Sequence, residues 1–232
     1  MNDPAVSSPP WLPYVAPMAA FLLLTSAEGW LPRGENGPSP TWYATSYAAK
    51  VAVVAAVAWA CRSSWRDLRP LPRAPALGGA IALGLGIAAL WVGLDGLYPT
   101  FGVRGTRAAF NPFTLPPAAR AGFLAVRLFG LVALVPVFEE LFWRSFLMRW
   151  VIDPDRFATV PIGRVTPAAA ALTTGLFAAA HPEEWLPAAI TGLAWAWLLH
   201  RTKSVSACVA SHVAANLALG AYVLARGAWK FW

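Results

Sequence analysis

Two adjacent glutamates, Glu139 and Glu140, interrupt the apolar run VPVFEELFWRSFL, and Arg144 follows four residues after the second. On a helix Glu140 and Arg144 share a face, with the acid first, which is the favourable order for an ion pair. Glu139 points about 100° away and is left without that partner. A carboxylate in poorly solvated surroundings beside another carboxylate has a raised pKa, which makes it a usable general base near neutral pH. The same two acids would equally serve a structural salt-bridge cluster. Two further apolar stretches carry polar groups at helical spacing: Phe177 and His181 in LFAAAHPEEW, and His212 and Asn216 in SHVAANLAL. Burying so many polar groups in an apolar medium costs several kcal/mol each unless they meet. Two histidines, an asparagine and an acidic pair are therefore expected to converge on one site.

Other chemistries fit less well. The chain contains no HExxH zinc helix and no GxSxG nucleophile elbow. Ser211 adjoins His212, but helix neighbours point apart. Glu, His and His are acceptable zinc ligands, yet no short spacing supports a metal site, and Asn216 is a better hydrogen-bond donor than ligand.

The elements that must position these groups are membrane spans. Of 232 residues, 58% are hydrophobic and 12% charged, against about 25% charged in a soluble domain. A soluble enzyme, a disordered chain and a coiled coil are all excluded on that ground. Spans of about 20 residues are expected near 12–28, 42–61, 76–97, 119–150, 166–181, 186–199 and 204–225. The fifth and sixth are short, as tilted or bundle-internal helices would be. The first has no basic residue before it, so it reads as a retained helix and not a signal peptide. Thirteen tryptophans suit aromatic belts. The ladder Gly78, Ala82, Gly86 predicts close helix packing. Cys61 and Cys208 read as small buried hydrophobes. Lys50, Asp95 and Arg127 are accounted for by snorkelling or interface placement, with pairing inside the bundle open to Arg127. His200 is expected at the interface, and Glu183 and Glu184 in solvent at a turn.

The net charge of +7 points to loops beside anionic lipid rather than to nucleic acid. With seven spans, ten basic residues fall on one side: Arg62, Arg66, Arg69, Arg73, Arg144, Arg149, Arg156, Arg164, Arg201 and Lys203. Six fall on the other: Arg33, Arg104, Arg107, Arg120, Arg226 and Lys230. The bias places the amino terminus in the cytoplasm. It also creates a tension of depth. At 1.5 Å per residue, Glu139 lies roughly 17 Å, His212 roughly 12 Å and His181 roughly 23 Å from the same membrane face.

These residues resemble the CPBP family of intramembrane glutamate proteases, which includes the type II CAAX prenyl endopeptidases. The EExxxR, FxxxH and HxxxN motifs of that family read here as Glu139-Glu140 with Arg144, Phe177 with His181, and His212 with Asn216, in family order. The likeness covers about 120–225. It implies an all-α, polytopic transmembrane helix bundle of about seven to eight helices with a polar intramembrane cavity. It forms one membrane domain, 1–118 supplying amino-terminal spans and 119–225 the catalytic core. It implies an intramembrane endopeptidase in which Glu139 activates a water with His181. His212 and Asn216 donate to the oxyanion, Glu140 and Arg144 brace Glu139, and Phe177 packs beneath His181. No metal, cofactor or covalent acyl-enzyme enters. The expected substrate is a membrane-anchored or lipidated protein in the bilayer, and the location a bacterial inner membrane. VPVFEELFWRSFLMRW also resembles CAAX protease-related proteins that accompany exosortase sorting systems, which makes such a system an expected partner. Two rivals remain at this point: a proton-coupled transporter, against which stands the absence of an inverted repeat, and a non-catalytic membrane scaffold or chaperone.

Overall fold

A computed structural model of the chain describes residues 9–34, 37–100 and 110–231; Arg104 and Arg107 of the charge count lie outside them. The described residues fold as an all-α bundle. Its long helices are α1 (Leu12–Ala27), α2 (Pro40–Ala60), α3 (Ala74–Gly93), α4 (Pro117–Ile152), α5 (Pro167–Ala179), α6 (Trp185–Thr202) and α7 (Val205–Arg226). A two-residue antiparallel pairing, Arg33–Gly34 with Gly37–Pro38, lies between α1 and α2. Among the described residues α2, α3, α4 and α7 are each long and apolar enough to cross a membrane. The outside of the bundle is apolar, with Leu23, Leu85, Leu193, Trp197 and Leu217 all exposed. That is a surface suited to lipid.

Helix ends follow local chemistry. Proline occupies the first turn of α2, α3, α4 and α5, where its missing N–H is no loss. Thr166 caps α5 and Ser204 caps α7, each accepting a backbone N–H three residues on. The left-handed Lys203 and Gly227 end α6 and α7. Helix α4 is not uniform. Phe129–Leu134 and Leu141–Leu147 are π-helical, flanking the α-helical Val135–Glu140 that carries the two glutamates. Wider turns of this kind re-aim side chains and recur at functional sites.

The small-residue ladder is corrected by the structure. Gly78, Ala82 and Gly86 are exposed, and a methyl group added at either glycine would touch nothing. The close approach is one face over, at Ala80, Gly84, Ile87 and Ala88, which are buried. A Cβ on Gly84 would stand 2.1 Å from the Ser211 carbonyl oxygen and 2.9 Å from Ala214 Cβ of α7. Four-residue spacing alone does not say which face meets a neighbour. Gly84→Val is expected to lower stability by about 1–3 kcal/mol, the usual cost of overpacking, and to displace the turn of α7 bearing His212. Gly78→Val and Gly86→Val serve as controls with unchanged thermal unfolding in detergent; equal melting of all three would overturn this account.

A second polar cluster locks the Arg-rich end. Asp67, in the 3-10 segment Arg62–Leu68, accepts hydrogen bonds from Tyr14 Oη (2.7 Å), Ser145 Oγ (2.6 Å) and Arg149 Nη2 (2.5 Å). Arg149 Nε also donates to the Ser145 carbonyl at 2.5 Å. The α2–α3 connection is thereby tied to α1 and α4. Arg144 and Arg149, counted above as loop charges, are in fact buried and paired inside the bundle. Only exposed loop residues belong in such a count, so two of the ten drop out and the bias weakens as a guide to orientation. Asp67→Asn leaves the Arg149 charge without its counter-ion, and about 3 kcal/mol of stability is expected to go with it. Chemical unfolding with the Asp67→Asn/Arg149→Met pair as reference checks this; the single variant should be the less stable.

Candidate active site

A cavity of about 260 Å³ lies between all seven long helices, α1 to α7. Its deep wall carries Glu139, Phe177, His181, His212, Asn216 and Trp195. From there it runs towards the end of the bundle where α1 and α3 finish and α2 begins, past Tyr47, Lys50, Trp91 and Arg127. The four residues expected to act on water and substrate thus line one space, and Glu140 and Arg144 stand behind its wall.

Glu140 and Arg144 are almost completely buried, at 0% and 1% exposure. Arg144 Nε lies 3.2 Å from Glu140 Oε2, and the guanidinium is placed 5.4 Å from the Phe177 ring and 5.6 Å from the Trp195 ring. The three guanidinium nitrogens make no well-aligned hydrogen bond, so the charge is held by one ion pair and two aromatic faces. Glu140 has a second partner that sequence spacing did not reveal. Its Oε1 is 3.0 Å from His212 Nδ1. A carboxylate beside an arginine only accepts, so Nδ1 of His212 donates, and Nε2 is the ring nitrogen left for the cavity. Trp195 stacks on the His212 ring, centroids 4.5 Å apart, and itself donates to Ser211 Oγ at 3.0 Å.

His181 lies beyond α5, not within it. The helix ends at Ala179 and His181 is the residue before the 3-10 turn Pro182–Glu184. Pro182 is the reason: the residue before proline is steered out of the α region, and His181 has φ −126° and ψ 61°. The ring nevertheless packs against Phe177, tilted by 48° with centroids 4.6 Å apart, and its Nδ1 is 2.8 Å from the Phe177 carbonyl. That carbonyl can only accept, so Nδ1 donates and Nε2 is the ring nitrogen left for the cavity. Trp91 closes the other side edge-on at 5.7 Å. Asn216 Nδ2 donates to the Leu131 carbonyl at 2.7 Å, within the first π-helical segment, where one side-chain N–H is spent in fixing the amide.

The difference in depth between His212 and the glutamates is removed by where α7 starts. Ser204 and Val205 are buried, and Ser204 Oγ donates to the Pro70 carbonyl at 3.1 Å. Helix α7 therefore begins beneath the α2–α3 connection, and an inner start brings His212 level with Glu140.

Lys50 departs from expectation, and Arg127 follows the second of its two readings, inside the bundle. Both are buried on the cavity wall rather than snorkelling. Lys50 Nζ pairs with Glu28 at 2.5 Å and is 3.3 Å from Thr25 Oγ1. Asp95 does lie near a helix end, paired with Lys230. Glu183 and Glu184 are half-buried rather than solvent-facing, and the Glu183 carbonyl accepts from Tyr98 Oη at 3.3 Å. Cys208 is buried and Cys61 half-buried, both as free thiols. Among the described residues no three His, Cys, Asp or Glu side chains gather closely enough to hold a metal ion.

Fold and site define an all-α membrane bundle with a glutamate, two imidazoles and a carboxamide on one internal cavity. Residues 121–218 match the family model of the type II CAAX prenyl endopeptidases, Rce1-like. The match agrees with the family that the motifs resemble, and every motif residue falls inside it. No curated protein and no solved structure gives a significant match. That family is one of endopeptidases that act on membrane-associated prenylated substrates.

Proposed function

We propose that the protein is an intramembrane endopeptidase that hydrolyses a peptide bond of a membrane-associated, lipidated protein with a water activated by Glu139. The observation that carries this reading is the shared cavity of Glu139, His181, His212 and Asn216. Glu139 is the base that takes the proton of the attacking water. Nε2 of His181 holds that water and relays the proton to the leaving amine. Asn216, oriented by the Leu131 carbonyl, turns its second N–H towards the developing oxyanion.

His212 joins it, its ring held by the Nδ1–H bond to Glu140 so that Nε2 faces the cavity. Glu140 thus acts through His212, and Arg144 pairs with Glu140 from behind. Water attack with these groups forms no bond between enzyme and substrate.

A transporter built on the same Glu/His chain would move protons without breaking a peptide bond, and a scaffold would do neither. Proteomic comparison of membranes containing the protein or its Glu139→Gln form tests the reading. The expected result is one or a few membrane-associated proteins shortened only with Glu139 present; identical peptide termini in both would overturn it.

A further inference from the structure

Glu139, His212 and Asn216 ride on helices, whereas His181 sits in the turn between α5 and α6. A packed helix holds a side chain to a fraction of an ångström; a turn needs contacts from elsewhere to do the same. For His181 such contacts come from α3 and the residues just after it.

Trp91 of α3 meets the His181 ring edge-to-face, with centroids 5.7 Å apart and planes at 89°. The indole is itself fixed, since its Nε1–H donates to Thr191 Oγ1 of α6 at 2.9 Å. Thr191 is fully buried and lines the same cavity, so this bond ties α3 to α6 beside the histidine. Two further bonds cross in opposite directions beyond the end of α3. Tyr98 Oη donates to the Glu183 carbonyl at 3.3 Å, and Trp185 Nε1 donates to the Pro99 carbonyl at 2.9 Å. The Tyr98 and Trp185 rings also meet edge-to-face, 5.9 Å between centroids. The turn Pro182–Glu184 that follows His181 is thereby stitched to the residues after α3.

Trp91, Tyr98 and Pro99 all precede the stretch 121–218 that carries every motif residue. The one N–H of the Trp91 indole is spent on Thr191, so the ring has no donor left for substrate and acts on its neighbour by contact. The bond from His181 Nδ1 to the Phe177 carbonyl anchors one atom of the imidazole. The Trp91 contact restrains the ring from a different helix, with the geometry that aromatic edges and faces prefer.

From these observations we infer that Trp91, locked by Thr191, is a positioning residue that sets the direction of the His181 ring in the cavity. The amino-terminal half then completes a site whose reacting groups all lie in the carboxyl-terminal half. The inference rests on the protease reading above and deepens it, because that reading requires Nε2 of His181 to face the attacking water.

Two readouts on the full chain in nanodiscs test it. The first is exchange of the imidazole C2–H for deuterium, followed by mass spectrometry, which reports on each histidine with no turnover. Trp91→Ala is expected to speed exchange at His181 about threefold, the loosening that loss of one edge-to-face contact allows. Exchange at His212, packed on Trp195, is expected to stay as it was. Thr191→Val keeps the branched shape but removes the acceptor, and gives part of the same increase; Thr191→Ser keeps an acceptor and gives none. The second readout is cleavage of a labelled, lipidated peptide. Trp91→Ala and Thr191→Val are expected to lower kcat about tenfold with KM unchanged, the pattern of a group that matters only as the bond breaks. Thr191→Ser recovers the rate.

Unaltered exchange at His181 in both Trp91→Ala and Thr191→Val overturns the inference. So does an equal rise at His181 and His212, the mark of general loosening, and so does a rise in KM alone, which makes Trp91 a substrate contact. If Trp91→Ala fails to fold, the two Thr191 variants decide, and equal exchange in them overturns it. Absence of cleavage by the unaltered protein removes the protease reading, while a selective change at His181 still leaves Trp91 as the residue that orients it. Cleavage with exchange unaltered in every variant does the reverse.

Discussion

Glu139→Gln is expected to lower peptide-bond cleavage by roughly a thousandfold, within the range that a positioned general base supplies, while the protein stays folded. The amide has the shape of the carboxyl group, so packing on the deep wall is kept, but it takes no proton from water. Glu139 is at the cavity surface, whereas Glu140 is behind it, so the two acids separate in their effects. Purified protein in nanodiscs, assayed with a labelled lipidated peptide, reads the rate; circular dichroism and thermal unfolding read the fold. Turnover unchanged by the substitution would remove the glutamate-base mechanism.

The second large effect is on stability. Glu140→Gln or Arg144→Met alone leaves a fully buried partner charge, and a loss of about 3–5 kcal/mol is expected. For Arg144 the loss is sharpened because, besides Glu140, the aromatic faces of Phe177 and Trp195 flank the guanidinium, and none of its nitrogens makes a well-aligned hydrogen bond. The double variant Glu140→Gln/Arg144→Met removes both charges at once and is expected to regain much of the stability, since an apolar side chain of similar length fills the space. It is not expected to regain activity. Without the carboxylate on Nδ1, His212 loses the ion-paired acceptor that fixes its ring. Equal stability of single and double variants would show that the pair is not coupled. Recovery of activity together with stability would show that Glu140 serves packing alone.

Identical residue types thus divide by depth. One glutamate faces the cavity and the other faces an arginine and a histidine. The π-helical turns on either side of Val135–Glu140 belong to the same arrangement, because they let a single rod present Arg127, Leu131, Glu139 and, behind them, Arg144 to several neighbours. Substitutions that straighten the rod should disturb the cavity without touching any polar residue.

Much was legible from the residues themselves. Seven apolar stretches matched seven helices to within a few residues, because a bilayer demands long apolar runs and proline, threonine, serine and glycine mark where they stop. The Glu140–Arg144 pair follows from helical spacing alone. Which polar groups meet across helices does not. The bond between His212 and Glu140 joins residues 72 apart, and periodicity is silent on distant partners. The packed face of α3 was misread because Gly84 and Gly86 are equivalent until a neighbour is present. Lys50, Arg127, Arg144 and Arg149 share one composition class with the loop arginines; only the fold shows that they are buried. His181 fell outside its helix because proline ended it. Sequence determined the rods and the chemistry they carry, since both depend on local pattern. Tertiary structure alone decided facing, depth and pairing, since these depend on where one rod begins relative to the next.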